Sequence, residues 1–539
     1  MHRFTRLVSP PVRLQAVRLL ASLALALAAT GCALPPLEGR SPSHALPAAE
    51  ARSTALGQAV DAAAQQQHPG LSGIHALTDA HDAFAARMQL VQHAERTLDV
   101  QYYIWRNDTT GHLLLEALRA AADRGVRVRL LLDDLGVAGL DEELAALDAH
   151  PHIEVRLFNP FVFRPFKPLG FVTDFSRANR RMHNKSFTAD NAVTILGGRN
   201  VGDEYFGATD GVLFADLDVL ATGPVVAQIS DAFDAYWASA SAYPIASMVK
   251  ASSADVVAAI AAREALIDRS ELAATYKKAV RELPAYGALI RGDLQLIWAP
   301  AHLLVDDPAK GLALAEPEQL LLHHMHEVVG APARALDLVS PYFVPTDSGT
   351  DYFVGLARQG VQVRILTNSL AATDVLPVHS GYARHRQRLL AAGVVLYELK
   401  PEPGDPVAKA ARRDDGSWMP GGSGSGASSG SSLHAKTFGV DKERVFVGSF
   451  NFDPRSARLN TELGIIVDSP ELAAAMAEIF AARVPLRSWE VKLDPRNGAL
   501  QWFDAAATPP QTLSVEPGTT WWERAAVRLL EPLPIDWLL

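Results

Sequence analysis

Two histidine-lysine pairs carry the chemistry this 539-residue sequence could perform. His183-Asn184-Lys185 is followed by Asp190, and His434-Ala435-Lys436 by Asp441, so both copies read H-x-K-x4-D. The copies stay in step beyond the motif. Phe187 matches Phe438, Gly197-Gly198 matches Gly448-Ser449, and Asn200 and Asn451 each fall seventeen residues after their histidine. One H-x-K means nothing, but six identities in register point to a duplicated catalytic element.

One copy is incomplete for moving a phosphoryl group, and two are sufficient. Imidazole, with an ordinary pKa near ~6.5, can attack phosphorus when neutral and donate a proton to the departing oxygen when charged. The second imidazole can then take the proton of an incoming hydroxyl. Lys185 and Lys436 would neutralise the non-bridging oxygens, and Asn200 and Asn451 would donate hydrogen bonds to them. Both histidines must therefore face one crevice. The motif aspartates Asp190 and Asp441 read equally well as structural acceptors at the start of the next turn.

The elements that position these residues are also duplicated. Leu98-Asp99-Val100, the aromatic run Tyr102 to Trp105, a helical stretch from His112 to Arg124 and Val126 to Leu131 recur in order. Their counterparts are Leu336-Asp337-Leu338, Pro341 to Val344, Asp351 to Gln359 and Val361 to Leu366. A further pair of strand-like runs, Ile153–Phe158 and Val394–Leu399, precedes the two motifs. Strands alternating with helices argue for two α/β units.

On these residues the chain resembles the phospholipase D superfamily. The segments Leu98 to Trp105, Asn179 to Asn200, Asn368 to Arg384 and Val445 to Ser456 are similar to bacterial cardiolipin synthases of the C type. The resemblance runs from about residue 76 to the C-terminus. It implies two pseudo-symmetric α/β/α halves with one active site at their interface. It also implies transfer of a phosphatidyl group through a phosphohistidine, without metal or other cofactor, onto a second lipid. Phosphatidylglycerol, with phosphatidylethanolamine as a second candidate, would supply donor and acceptor to make cardiolipin. The family pattern places an acidic residue behind each histidine, which falls on Glu462 and Asp216. They lie 28 residues after His434 and 33 after His183. Ser449 is a candidate phosphate contact that Gly198 cannot match. His183 is favoured as the nucleophile.

Arg3, Arg6, Arg13 and Arg18 precede an apolar run from Leu19 to Ala29 and then Thr30-Gly31-Cys32, the outline of a signal peptide. The small residues before Cys32, the only cysteine, suggest lipoprotein processing and acylation there. An uncleaved anchor is the alternative, although the run is short against the ~20 residues a membrane helix needs. The expectation is an exported, membrane-anchored lipoprotein of the bacterial cell envelope.

Net charge is −10, and losing the four arginines of residues 1–31 would leave −14, a poor basis for nucleic-acid binding. Residues 32–75 read as a tether, 76–245 as the first half, 246–330 as a helical connector, 331–490 as the second half and 491–539 as an extension. His323, His324 and His326 read as a solvated helix face rather than a metal site. Arg177, Arg180 and Arg181 suit either a lipid phosphate or a solvated turn. The Gly/Ser-rich stretch from Gly421 to Ser432 is either a lid or an insertion. Phe161 to Phe171, and Trp521, Trp522, Arg524, Arg528 and Trp537, suit a membrane interface or core packing. Rival functions are a hydrolase releasing phosphatidic acid, a nuclease, and an inactive lipid-binding lipoprotein.

Overall fold

The computed structural model describes residues 34–206, 216–283, 285–373, 375–401, 433–533 and 535–536. Cys32, the Gly/Ser-rich stretch and Trp537 lie outside them.

Two mixed sheets form the body. The first contains β1 (Ser72–Leu77), β2 (Thr97–Ile104), β3 (Arg127–Gly136), β4 (Ile153–Phe158), β5 (Ser186–Ala189), β6 (Val193–Gly197), β7 (Asp218–Thr222), β8 (Ala242–Pro244) and β9 (Ile297–Ala299). The second contains β10 (Ala301–Val305), β11 (Ala335–Val339), β12 (Gln362–Asn368), β13 (Val395–Leu399), β14 (Thr437–Val440), β15 (Arg444–Gly448), β16 (Leu463–Val467), β17 (Ser488–Leu493), β18 (Leu500–Asp504) and β19 (Gln511–Leu513). The strand orders are β8-β4-β3-β2-β5-β6-β7-β1-β9 and β10-β16-β15-β14-β11-β12-β13-β17-β18-β19.

Apart from β9, β18 and β19 at the edges, these orders are one pattern written twice. β2, β3 and β4 pair in parallel, as do β11, β12 and β13. The hairpins β5-β6 and β14-β15 then return antiparallel beside β2 and β11. The parallel strands are nearly continuous apolar runs because helices cover them. Each hairpin turns on residues with positive φ, Asp190 and Asn191 in one and Asp441 and Lys442 in the other. Each half has its own core, and a third is shared. Ile74, Leu196, Val219 and Ala221 of the first sheet pack there with Val445, Val447, Leu463 and Ile465 of the second.

Two segments depart from their expected character. Residues 246–330 carry helices, as anticipated, but also β9 and β10, one for each sheet, with β10 lying against β16 as β1 lies against β7. Three-residue and five-residue strands at sheet edges leave little periodic signal. The expected tether is largely packed. Leu46, Leu56 and Val60 are buried, and buried arginines of the first sheet collect its carbonyls, Arg129 that of Ser43 at 2.9 Å and Arg156 that of Ser41 at 2.8 Å. Contacts made by backbone carbonyls leave no trace in side-chain pattern. No helix among the described residues is long and apolar enough to cross a membrane.

Candidate active site

His183 enters β5 from a strand-like crossing between the halves. Its N–H donates to Thr461 O at 2.8 Å, and Thr461 N–H donates to Arg181 O at 2.9 Å. β5 is antiparallel to β2, so the histidine lies at the carboxyl ends of the parallel strands. His434 precedes β14 in the same way.

Each histidine is held by the other half. Glu462, just before β16, faces His183 Nδ1 through Oε2 at 2.8 Å. Asp216, just before β7, faces His434 Nδ1 through Oδ2 at 2.6 Å. Carboxylates at Nδ1 leave each Nε2 as the ring nitrogen available for chemistry. Tyr103 stands edge-on to His183 at 5.0 Å and Tyr205 to His434 at 5.3 Å, ring centre to ring centre. Spacing along the chain suggested service within each half; the chain instead exchanges the carboxylates.

The site is crowded with positive charge. Lys185 Nζ donates to His183 O at 2.6 Å, and Lys436 makes the matching bond to His434 O. Burial, and then Lys436, push the Lys185 ammonium well below its usual range. Burial and both lysines likewise hold His183 well below ordinary histidine. His434 is lowered to about 4 by burial and Lys436, against the pull of Asp216. Such mutual repulsion is what an anion between the lysines would relieve, and it would raise both histidines as it bound.

The two carboxylates differ. Burial raises Glu462 to about 7, opposed by Lys185. Burial also works against ionised Asp216, but His434, Lys436 and Arg199 prevail and hold it at about 2. Ser449, expected on phosphate, donates to Glu462 Oε2 at 2.5 Å and accepts from Leu463 N–H at 3.0 Å. Its hydroxyl is thereby occupied, which corrects that expectation. Gly198, its counterpart, lies against the other carboxylate, for a Cβ there would come 2.0 Å from Asp216 Oδ1. Asn200 accepts from Ile104 N–H at 3.2 Å, and its Nδ2 is buried without a hydrogen bond. Asn451 is buried and its Oδ1 is also unpaired.

The motif aspartates belong elsewhere. Asp190 sits at the far end of β5, roughly 20 Å along the strand from His183. Its carboxylate gathers the N–H groups of Glu95, Arg96 and Thr97 at 2.8–2.9 Å. Asp441 does the same for Ala333, Arg334 and Ala335. They fix the start of β2 and β11, not the reacting atoms. The arginines before His183 are committed as well: Arg181 to Asp133 at 3.0 Å, Arg177 to Asp174 at 2.6 Å and Arg180 to the Arg458 carbonyl at 2.9 Å. His323 and His324 lie near Glu327 on the helix Leu321–Val329.

One support was not anticipated. Asp306, after β10, accepts from Glu462 N–H at 2.9 Å and from Lys310 Nζ at 2.8 Å. Lys310 also donates to Ser456 O at 2.8 Å. This buried ion pair fixes the backbone that carries Glu462. Only the Asp306-to-Lys310 spacing of four residues could have suggested it, and that spacing is common.

Known proteins resemble this chain in sequence and in fold. The sequence profile described as "Cardiolipin synthase, PLD-like domain" matches residues 88–237 and 329–484. Cardiolipin synthase C of Escherichia coli is 48% identical over 88% of this chain and 97% of its own length. Cardiolipin synthase A of Cronobacter sakazakii is 25% identical over 77% of this chain and 70% of its own. The crystal structure of phosphatidylserine synthase from Haemophilus influenzae shares the fold, with a TM-score of 0.51 at 13% identity, covering 89% of this chain and 99% of that one. The chain belongs to the cardiolipin synthase, PLD-like domain family.

Proposed function

We propose that this chain is a phosphatidyltransferase that makes cardiolipin from phosphatidylglycerol and a second phospholipid through a phosphohistidine. The observation that carries this reading is the pair of histidines in one crevice, each held at Nδ1 by a carboxylate of the opposite half, between two buried lysines.

In the first step His183 Nε2 attacks phosphorus, and the bond from phosphorus to the headgroup oxygen breaks. His434 donates the proton that oxygen needs, so glycerol leaves when phosphatidylglycerol is the donor and ethanolamine when phosphatidylethanolamine is. In the second step His434 takes a proton from a glycerol hydroxyl of an acceptor phosphatidylglycerol. The resulting oxygen attacks phosphorus and frees His183. Lys185, Lys436, Asn200 and Asn451 would stabilise the phosphoryl oxygens throughout. Burial and the lysines lower both imidazoles, so the assignment rests on their partners. The ionised Asp216 behind His434 pulls that histidine towards its charged form and supports it as the acid, which leaves His183 as the nucleophile. We also propose that the N-terminal segment directs export and that Cys32 carries an acyl anchor.

Labelled phosphatidylglycerol in mixed micelles, with and without phosphatidylethanolamine and in the presence of EDTA, tests the reading. Cardiolipin is the expected product. Phosphatidic acid alone would replace the transferase by a hydrolase, and no turnover would remove the catalytic reading.

A further inference from the structure

Two clusters of exposed apolar side chains flank the crevice, one from each half. The first lies between β4 and β5. Phe163, Phe166, Val172 and Phe175 are 50%, 59%, 81% and 42% exposed, yet their loop is firmly fastened. Phe161 N–H donates to Asp134 Oδ2 at 2.7 Å, and Arg164 and Lys167 both reach the same carboxylate, at 2.6 and 3.0 Å. The second is the helix Trp521–Leu530, capped by Thr520 and Glu523. Its Val527 is buried against Leu370 and Ala383, while Trp521, Trp522 and Leu529 are 59%, 66% and 74% exposed. The two tryptophan rings stack at 3.7 Å.

The clusters occupy corresponding places. The first loop ends at Arg181 and Met182, both bonded to Asp133 near the end of β3. The helix packs just past the end of β12, the counterpart of β3, where Asn368 donates to Leu433 O beside His434. Each cluster thus neighbours one histidine at the carboxyl ends of the parallel strands. Scattered exposed apolar residues are ordinary, but rigid aromatic groups gathered on the edge that bears a site are not.

We propose that these two clusters form one bilayer-docking face that seats the crevice on the headgroup layer of a phospholipid surface. The proposal rests on the lipid-transfer reading. Aromatic side chains prefer the membrane–water boundary, and exposed Arg528 on the same helix suits anionic headgroups. A lipid is favoured over a protein partner because the substrates hold the matching chemistry. Docking lets a phosphate reach the histidines while its acyl chains remain in the membrane, whereas extraction would expose every methylene to water.

The full-length chain carrying Cys32→Ser, which removes any acyl anchor, would be given phosphatidylglycerol in two forms: vesicles, and a short-chain lipid below its micelle concentration. Phe163→Ser/Phe166→Ser and Trp521→Ser/Trp522→Ser should each lower turnover on vesicles at least tenfold and leave short-chain turnover within about twofold. Vesicles with brominated acyl chains should quench the fluorescence that Trp521→Phe/Trp522→Phe removes. Unchanged vesicle turnover, an equal loss on both substrates, or a concentration-dependent dimer lost in the variants without quenching would overturn the docking face. If the parent protein turns over neither lipid, the transfer reading falls separately. Quenching of the tryptophan pair then still supports docking, and its absence overturns it.

Discussion

The two halves share a run of eight strands, from β8 to β1 and from β17 to β10, but treat their histidines differently. His434 is backed by a short carboxylate that stays ionised at about 2 and fits only because residue 198 is glycine. His183 is backed by a longer one, wholly buried, raised to about 7 and bonded to the Ser449 hydroxyl. Gly198 with Asp216, and Ser449 with Glu462, are therefore two solutions at one pseudo-symmetric position. A perfectly symmetric site would give both imidazoles the same protonation preference. The unequal pairs distinguish them, because Asp216 stays ionised and pulls its histidine upward whereas Glu462 takes up a proton near neutrality, a difference that suits an acid and a nucleophile.

Removing the histidines breaks that comparison most severely. His183→Ala and His434→Ala are each expected to lower transfer on the order of 10⁴-fold or more. A phosphatidyl ester of a nitrophenol separates the two roles, because its leaving group departs without a proton. With it, His434→Ala should give a burst of one equivalent of nitrophenol and retain labelled lipid on the denatured protein. His183→Ala should give neither. A burst from His183→Ala alone would reverse the assignment.

Neutralising the carboxylates sharpens the contrast, with losses of about 10²-fold. Glu462 takes up its proton near neutrality, so Glu462→Gln imitates a form the parent already populates at pH 6. Its deficit in kcat/KM should be small there and grow towards pH 8. Asp216 is ionised across that range, so Asp216→Asn should show a deficit that does not depend on pH. Parallel profiles for the two variants would remove the proposed division of labour.

The sequence displays the duplication because each element left a side-chain pattern. Apolar runs mark the parallel strands, and the register of His, Lys, Asp and Asn marks the hairpins. Glu462 and Asp216 were legible as residues but not as partners, since their spacing from the histidine of their own half says nothing about a crossing between halves. Asp306 and Lys310 were hidden for another reason: they act on the backbone of Glu462, far along the chain, from a segment that looked like a connector. The arginines before His183 were misleading because a basic run looks the same whether it meets phosphate or, like Arg181, a buried aspartate.

Lys310 carries the next largest effect. Lys310→Met would leave Asp306, already raised to about 6 by burial, without its cation. Breaking a buried pair on one side costs about 3 kcal/mol. Thermal unfolding should show that loss, and kcat should fall with it because Glu462 shifts. Asp306→Asn in the Lys310→Met background should restore part of the stability. If the single variant melts with the parent, the pair does not support the site.

The smallest contrast concerns the motif aspartates, which hold the same three successive N–H groups in the two halves. Asp190 is fully buried, whereas Asp441 is partly open to water. Asp190→Ala leaves buried donors unsatisfied and should cost roughly 3 kcal/mol, while Asp441→Ala, where water can replace the carboxylate, should cost roughly 1. Both should retain kcat within a few-fold, since neither side chain reaches the crevice. Acid separates them further. Burial raises the Asp190 carboxyl, so the contribution of its titration is complete below its unfolded pKa and is lost as pH rises through the folded one. The Asp441 carboxyl is lowered, because the N–H groups of Ala333, Ala335 and Arg334 outweigh its desolvation. Its contribution is present above the unfolded value near 3.8 and disappears as pH falls through the folded one. The penalty of Asp441→Ala measured by denaturant unfolding should therefore shrink below about pH 4, while that of Asp190→Ala should not. A large loss of kcat with unchanged stability in either variant would return these aspartates to the reaction.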